Sequence, residues 1–531
     1  MNTVKLFRRG LFLACLALLG LLSRAEAVVP TDFSDTILKD QLVFPSDFAF
    51  LPDGRIFVLE QFSKTVRLIL PSGALGAFDP AMMVDSVSDP GLTEKGLLSI
   101  AVDARWPTQP YVYIYYDATD GFVHVSRYQG IGDLNDATSG NLRLDATSRF
   151  DVLRDIRDNS QFDNGGSVRF GPDSLLYVSV GDDDGNCVAQ DTTSLLGKIL
   201  RLEVRGLPAG PGGPANKATL VAAGNPLASN PNANARLLWA IGFRNPFRMQ
   251  IDRLDGRVFV GDVGSNLQEE VDLAPSGGLN FGWPIREGTV PTPLTSCPGI
   301  VTPPFTSPIT TYTRPSGQNV AVIGGPIYHL LVIPLTQGPA TRCDFPSEYE
   351  GSYFFGDYYQ GFLRRLVFSG GTWQIAATVP GQTDANNWGT GIPQVSSWQQ
   401  GPDGAIWYCL QAINNGIGTG SIHRICYTGQ VGGVPPSASR ASFAPPIPTP
   451  ARGGAAFEFT LAAEARVSLA LYDPRGRLIR ALLPATRETR GSHRIQWDGL
   501  AADGSPAATG LYFARLEVDG AVYSRRVILL H

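Results

Sequence analysis

The strongest constraint on the fold is a unit that recurs along the chain: an apolar stretch, a Pro-Asp-Gly-like turn, then an alternating strand. It stands at Phe48–Gln61 (FAFLPDGRIFVLEQ), Val168–Asp182 (VRFGPDSLLYVSVGD), Met249–Gly264 (MQIDRLDGRVFVGDVG) and Trp398–Ala412 (WQQGPDGAIWYCLQA). A looser copy covers Leu98–Asp117, and Gly351–Phe368 supplies another hairpin. Asp-Gly between two alternating runs is a strong hairpin signal, because both turn residues tolerate the backbone it needs. Six such units, roughly 50–80 residues apart, predict six sheets arranged radially, the way a β-propeller limits exposed edges. Two stacked β-sandwiches are the alternative on pattern alone. Helical periodicity is nearly absent. The units are longer than typical blade repeats, so long loops are expected on one face, where such scaffolds carry function. Residues 285–345, rich in Pro and Thr, read as an irregular insertion.

Composition supports an all-β chain rich in turns: 59 Gly, 40 Pro and only 17% charged residues. Residues 429–442 read as a Pro/Ser/Ala/Gly linker, and 443–531 as short alternating strands of one small β-sandwich, with turns at Asp473–Gly476 and Ala502–Gly504. At the other end, Lys5, Arg8 and Arg9 precede an apolar run from Leu11 to Leu22, followed by Ala25-Glu26-Ala27. That order predicts a secretory signal over 1–27 and a secreted, periplasmic or cell-surface protein; Cys15 as a lipidated residue is the alternative. Its removal takes the formal charge from −5 to −8, which gives no electrostatic case for nucleic acid. Export permits disulfides. Cys409–Cys426 and Cys297–Cys343 are the expected pairs, leaving Cys187 odd. Scarce His and the lack of a CxxC argue against structural zinc.

Five segments, in order, carry a resemblance: Glu94–Asp103 (EKGLLSIAVD), Asn164–Asp182 (NGGSVRFGPDSLLYVSVGD), Leu196–Leu202 (LGKILRL), Ile241–Asp252 (IGFRNPFRMQID) and Gly264–Gly288. Over residues 38–428 the chain resembles the soluble quinoprotein glucose/sorbosone (aldose sugar) dehydrogenases. The resemblance implies a six-bladed propeller, calcium-bound pyrroloquinoline quinone, and oxidation of an aldose at C1 to a lactone. Leu471–Leu482 and Trp497–Leu516 resemble the immunoglobulin-like C-terminal domains of the flagellar hook-capping type, which end many secreted proteins and imply secretion machinery or the cell surface as partner.

The family places its general-base histidine where this chain has Asp163. A carboxylate is a weaker base, with an ordinary pKa of about 3.9, unless burial raises it. A turn-forming role for Asp163 ahead of Asn-Gly-Gly is the plainer reading. Arg244 and Asn245 match the cofactor-contacting pair, where a fixed cation stabilises the reduced quinone. Gly264 and Ser265 fall where the family binds calcium through carbonyls, with Glu269 or Glu270 in support. Asp182–Gly185 reads as a solvated acidic turn. The family's carboxylate-neutralising lysine and arginines fall near Tyr359, Gln394 and Ser396, so charge is lost there. Two functions therefore stay open: a quinone-dependent aldose dehydrogenase with Asp163 as base, or a catalytically degenerate propeller binding glycan or protein through Tyr358, Tyr359, Trp388, Trp398 and nearby loops.

Overall fold

A computed structural model describes residues 27–91, 93–298, 304–330, 343–411, 418–429, 441–444, 446–448, 451–461, 463–473, 478–502, 504–519 and 521–530. The expected signal, the possible lipidation site Cys15 and most of the expected linker lie outside them. The chain divides into two compact units, 1–429 and 430–531.

Among the described residues, the first unit holds six sheets of four or more strands, antiparallel except where Leu279–Asn280 adds a parallel edge strand to the third. Their first strands are Pro45–Phe50, Leu97–Val102, Gly165–Phe170, Pro246–Ile251, Val322–Ile327 and Val395–Gln400. Each packs against the first strand of the next sheet and the last against the first, which closes a ring. The N-terminal strand Phe33–Leu42 pairs antiparallel with Gly420–Tyr427 and so supplies the outer strand of the sixth sheet. It begins at Phe33, five residues ahead of the boundary expected from sequence.

The recurring turn works as its residues demand. The carboxylates of Asp53, Asp103, Asp173, Asp255 and Asp403 each accept the backbone N–H two residues on, at 2.9–3.2 Å. This is the Asx geometry that makes Asp favourable here. Gly54 and Gly404 then take φ of 90° and 89°, open to glycine at little cost. The inner strand Val322–Ile327 falls inside the stretch expected to be irregular. Its two central glycines weaken a strand signal, yet close packing requires one of them: a Cβ on Gly324 would sit 2.5 Å from the Arg248 carbonyl.

Polar residues fill the middle of the ring. Arg248, fully buried, donates to the carbonyls of Ser46, Leu98, Gly166, Phe247 and Ser396 at 2.7–2.9 Å. Burial lowers its pKa to about 10, which still leaves it charged at neutral pH. Beside it the Asp47 carboxylate accepts from Arg169 Nη1 and Nη2, Ser99 Oγ and Ser397 Oγ at 2.6–3.0 Å. Burial alone would raise the Asp47 carboxyl, but the Arg169 and Arg248 charges and these hydrogen bonds hold it at about 2.

The disulfides correct the sequence reading: Cys187 joins Cys297, Cys343 joins Cys426, and Cys409 is free and buried. The expected Cys409–Cys426 bridge fails on register. Cys409 faces Ile422, whereas Cys426 lies four residues further along and opposite Ser34. At about 3.4 Å per residue no disulfide spans that offset.

Among the described residues the second unit has two sheets, one of Ala441–Phe443, Ala455–Leu461 and Gly491–Trp497, the other of Ala451–Arg452, Ala521–Leu530, Gly510–Val518, Ala465–Tyr472 and Leu478–Glu488. Strand Ala465–Tyr472 alternates buried and more exposed residues, and Phe457, Val467, Leu469, Trp497 and Leu516 meet in one core. The turn expected at Asp473–Gly476 lies mostly outside the described residues.

Removing the central cation should leave five buried carbonyls unpartnered. Arg248→Leu is expected to lower stability by about 3–5 kcal/mol, read as a fall in the guanidinium midpoint against wild type.

Candidate functional site

The inner strands run side by side, so the residues that enter them collect at one end of the ring, its mouth. Glu94 stands three residues before the second inner strand, Asp163 two before the third, and Arg244-Asn245 directly before the fourth. Asp163 is held at φ 61°, a conformation Asp tolerates and most side chains avoid. Gly165 follows at φ 68°, where a Cβ would lie 2.4 Å from Gly181 N. The Asn-Gly-Gly turn thus packs tightly against Gly181 of the same sheet and holds Asp163 facing Arg244.

Arg244 Nη2 donates to Asp163 Oδ2 at 2.6 Å, and the two side chains are only 17% and 4% exposed. Arg244 Nη1 donates to the carbonyls of Val263 (3.1 Å) and Gly264 (2.8 Å). Asn245 is spent internally: Oδ1 accepts from Gly165 N (2.9 Å), and Nδ2 donates to Glu94 Oε2 (3.0 Å), which also accepts from Asp163 N (3.1 Å). Asp262 holds the backbone N–H groups of Arg244 (3.0 Å) and Asn245 (2.7 Å). Trp283 Nε1 donates to Asp182 Oδ2 at 2.7 Å, with its ring centroid 5.7 Å from the Arg244 guanidinium carbon.

Carboxylates crowd this mouth, and their protonation shows it. Burial raises Asp163 to about 8; Arg244 opposes the rise, and the charges of Asp182 and Glu94 add to it. Burial likewise raises Asp182 to about 6, against the Trp283 hydrogen bond and the Arg244 charge. Burial moves Glu94 upward too.

Of the residues expected from sequence, the structure brings Asp163, Arg244, Asn245 and Gly264 together. The Gly264 carbonyl faces a guanidinium, so a cation placed there would have to share that oxygen. The N–H groups of Ser265 to Gln268 all converge on Glu287 Oε1 at 2.7–3.1 Å. Glu269 accepts from Gly264 N (3.2 Å) and Val322 N (2.8 Å) and pairs with Arg314. Tyr359 is 50% exposed and meets Tyr358 edge-on. Trp388 and Trp398 are core residues, which removes them from any binding surface. Asp182 and Asp183 are buried, so the acidic turn is not solvated there; only Asp184 is exposed. Sequence reasoning missed Glu94 and Asp182 as site residues, and it missed the carboxylates Asp262 and Asp272, which meet Glu270 behind Arg244. The available signal was Glu270-x-Asp272, two acids on one face of a strand.

The Glucose / Sorbosone dehydrogenase family model matches residues 42–417. The chain belongs to this family. A second model, the FlgD Ig-like domain, matches residues 448–521. The chain is 33% identical over 199 residues to the HIPL1 protein of Arabidopsis thaliana, covering 34% of this chain and 28% of that one. It is 24% identical over 264 residues to the aldose sugar dehydrogenase YliI of Escherichia coli K12, covering 50% and 65%. It therefore spans less than a third of that plant relative and just under two thirds of the bacterial one. Among solved structures, a Thermus protein described as an oxidoreductase (glucose dehydrogenase) superposes with a TM-score of 0.54 at 25% identity, over 74% of this chain and 99% of that one. The apo aldose sugar dehydrogenase of E. coli gives 0.54 at 18% identity, over 74% and 99%, a likeness of fold. The chain is thus an aldose sugar dehydrogenase-like family member with an all-β fold.

Because the folded Asp163 carboxyl titrates near 8 against an ordinary 3.8, its protonated form favours the folded state. That contribution is complete below the ordinary value and is lost as pH rises through about 8. Asp163→Asn should flatten this part of the stability profile, measured as unfolding free energy between pH 5 and 9, and should leave wild type the less stable of the two at the alkaline end.

Proposed function

We propose that this mouth of the ring binds a sugar or the end of a glycan, with Asp163 and Arg244 reading its hydroxyls. The observation that carries this is the 2.6 Å Asp163–Arg244 pair at the end of the ring. Side by side they offer a carboxyl oxygen and guanidinium donors, the complement of a hydroxyl that both donates and accepts. The half-exposed Phe162 and Tyr359 add apolar surface near the same mouth. In this reading the ring of six sheets is a six-bladed propeller and the mouth is its working face.

Oxidation of an aldose at C1 is the second reading, and one observation favours it. A carboxyl raised to about 8 is matched to accepting a proton near neutral pH, as the base of such a reaction must. The cofactor fits less well. Pyrroloquinoline quinone carries three carboxylates, and three cations near the mouth already face carboxyl groups: Arg244 with Asp163, Lys95 with Asp158 and Arg314 with Glu269. Arg364 and Arg365 lie against Phe362 and Tyr349 instead. Burying a trianion among unmatched carboxylates is unfavourable, so the residues present do not fit this group.

Export rests on the charged, apolar and small-residue order of residues 1–27, and the C-terminal unit would meet secretion machinery or the cell surface. Calorimetric titration of purified chain with aldoses and oligosaccharides tests the first reading: a saturable heat is expected, weakened at least tenfold in Arg244→Ala. The same samples with calcium and micromolar quinone test the second. Quinone binding accompanied by aldose-dependent dye reduction would make oxidation the correct function and the misfit argument wrong.

A further inference from the structure

Asp262, Glu270 and Asp272 each bring one carboxylate oxygen within 4.8 Å of the other two, and all three residues are buried. Strand register makes this unavoidable. Asp262 pairs with Glu270 across the hairpin, and Asp272 stands two residues further on the same face. Asp262 uses its oxygens to accept from Arg244 N and Asn245 N, and Glu270 Oε1 accepts from Gly288 N at 3.2 Å. Glu270 Oε2 and both oxygens of Asp272 have no hydrogen-bond partner among the described residues. A carboxylate that is fully buried with neither oxygen satisfied is among the most costly arrangements in a protein interior. Arg286 contributes only a charge at longer range.

We propose that Asp262, Glu270 and Asp272 hold one hard divalent cation. Oxygen-only ligands select calcium or magnesium over softer metals, and three carboxylates converging from two paired strands supply charge and three of the six or more oxygens required. The site is distinct from the Gly264 and Ser265 carbonyls expected from sequence. Asp262 links it to the mouth: the same carboxylate that borders the ion holds Arg244 and Asn245 by their backbone N–H groups. The ion therefore fixes where the Arg244 side chain starts, and it does so whether or not the mouth binds sugar.

The test uses full-length chain stripped with EDTA and titrated separately with calcium and magnesium by calorimetry, with Tm followed in parallel. One ion per chain is expected, with a Tm rise of about 2–5 °C at saturation. Asp272→Asn should bind at least tenfold more weakly. In EDTA it should be as stable as wild type or more so, because an unpartnered buried charge has gone. Wild type that binds neither ion, or Asp272→Asn that binds as wild type does, overturns the proposal. Should that variant not fold, Glu270→Gln and anomalous diffraction from calcium-soaked wild-type crystals decide it: density at the three carboxylates supports the site, and its absence there overturns it. A failed sugar titration alongside retained ion binding would reject the proposed function and leave this site standing.

Discussion

The structure depends on one guanidinium. Arg248 donates to five carbonyls, and each belongs to the second residue of its inner strand: Ser46, Leu98, Gly166, Phe247 and Ser396. A ring of strands could slip along its axis with small loss of apolar contact, since the strands share no ladder with one another. A buried cation bound to one carbonyl from each of five of the six inner strands removes that freedom. Charge-assisted bonds of this kind are short and directional, and leaving any of them unmade deep in the interior is expensive. Asp47, gripped by Arg169, Ser99 and Ser397, repeats the constraint across four sheets.

The height set at the axis is passed on to the mouth. Arg248 lies four residues after Arg244, and Gly166 three after Asp163, so pinning the second residue of each strand also pins the loop just ahead of it. Asp163 and Arg244 come from different sheets, yet meet at 2.6 Å with little of either side chain open to solvent. The chemistry at the mouth follows from that rigidity. Burial in this rigid setting displaces Asp163, Asp182 and Glu94 upward, and neighbouring carboxylates add to the rise at Asp163 and Asp182.

Much of the ring was legible in the chain. The Pro-Asp-Gly units announce their hairpins because an Asp carboxylate bonds two residues on within the turn, a local event that neighbouring residues encode. Asp163, Arg244 and Asn245 were legible through their ordered motifs. What escaped is non-local. The cysteine partners depend on strand register and on how loops lie over the ring, neither of which spacing reveals. Val322–Ile327 hides behind its glycines. Glu270 was read as support for the calcium loop and Asp272 was passed over, because nothing local shows that the segment around Gly288 covers their face and buries them together. Asp182 was misread for a similar reason, since a polar turn is solvated only where no other loop packs over it.

The pairing of Phe33–Leu42 with Gly420–Tyr427 has a kinetic meaning. Thr36 and Arg424 are in contact across 388 positions of sequence, so the last sheet cannot be completed until nearly the whole first unit has been made. A chain that emerges from its N-terminus must hold its first strand unpaired while five sheets assemble behind it. Folding with so high a contact order is slow, and the open ring meanwhile presents bare strand edges. The waiting strand carries Asp35, Lys39 and Asp40, charged residues of the sort that discourage edge-to-edge association until its partner arrives.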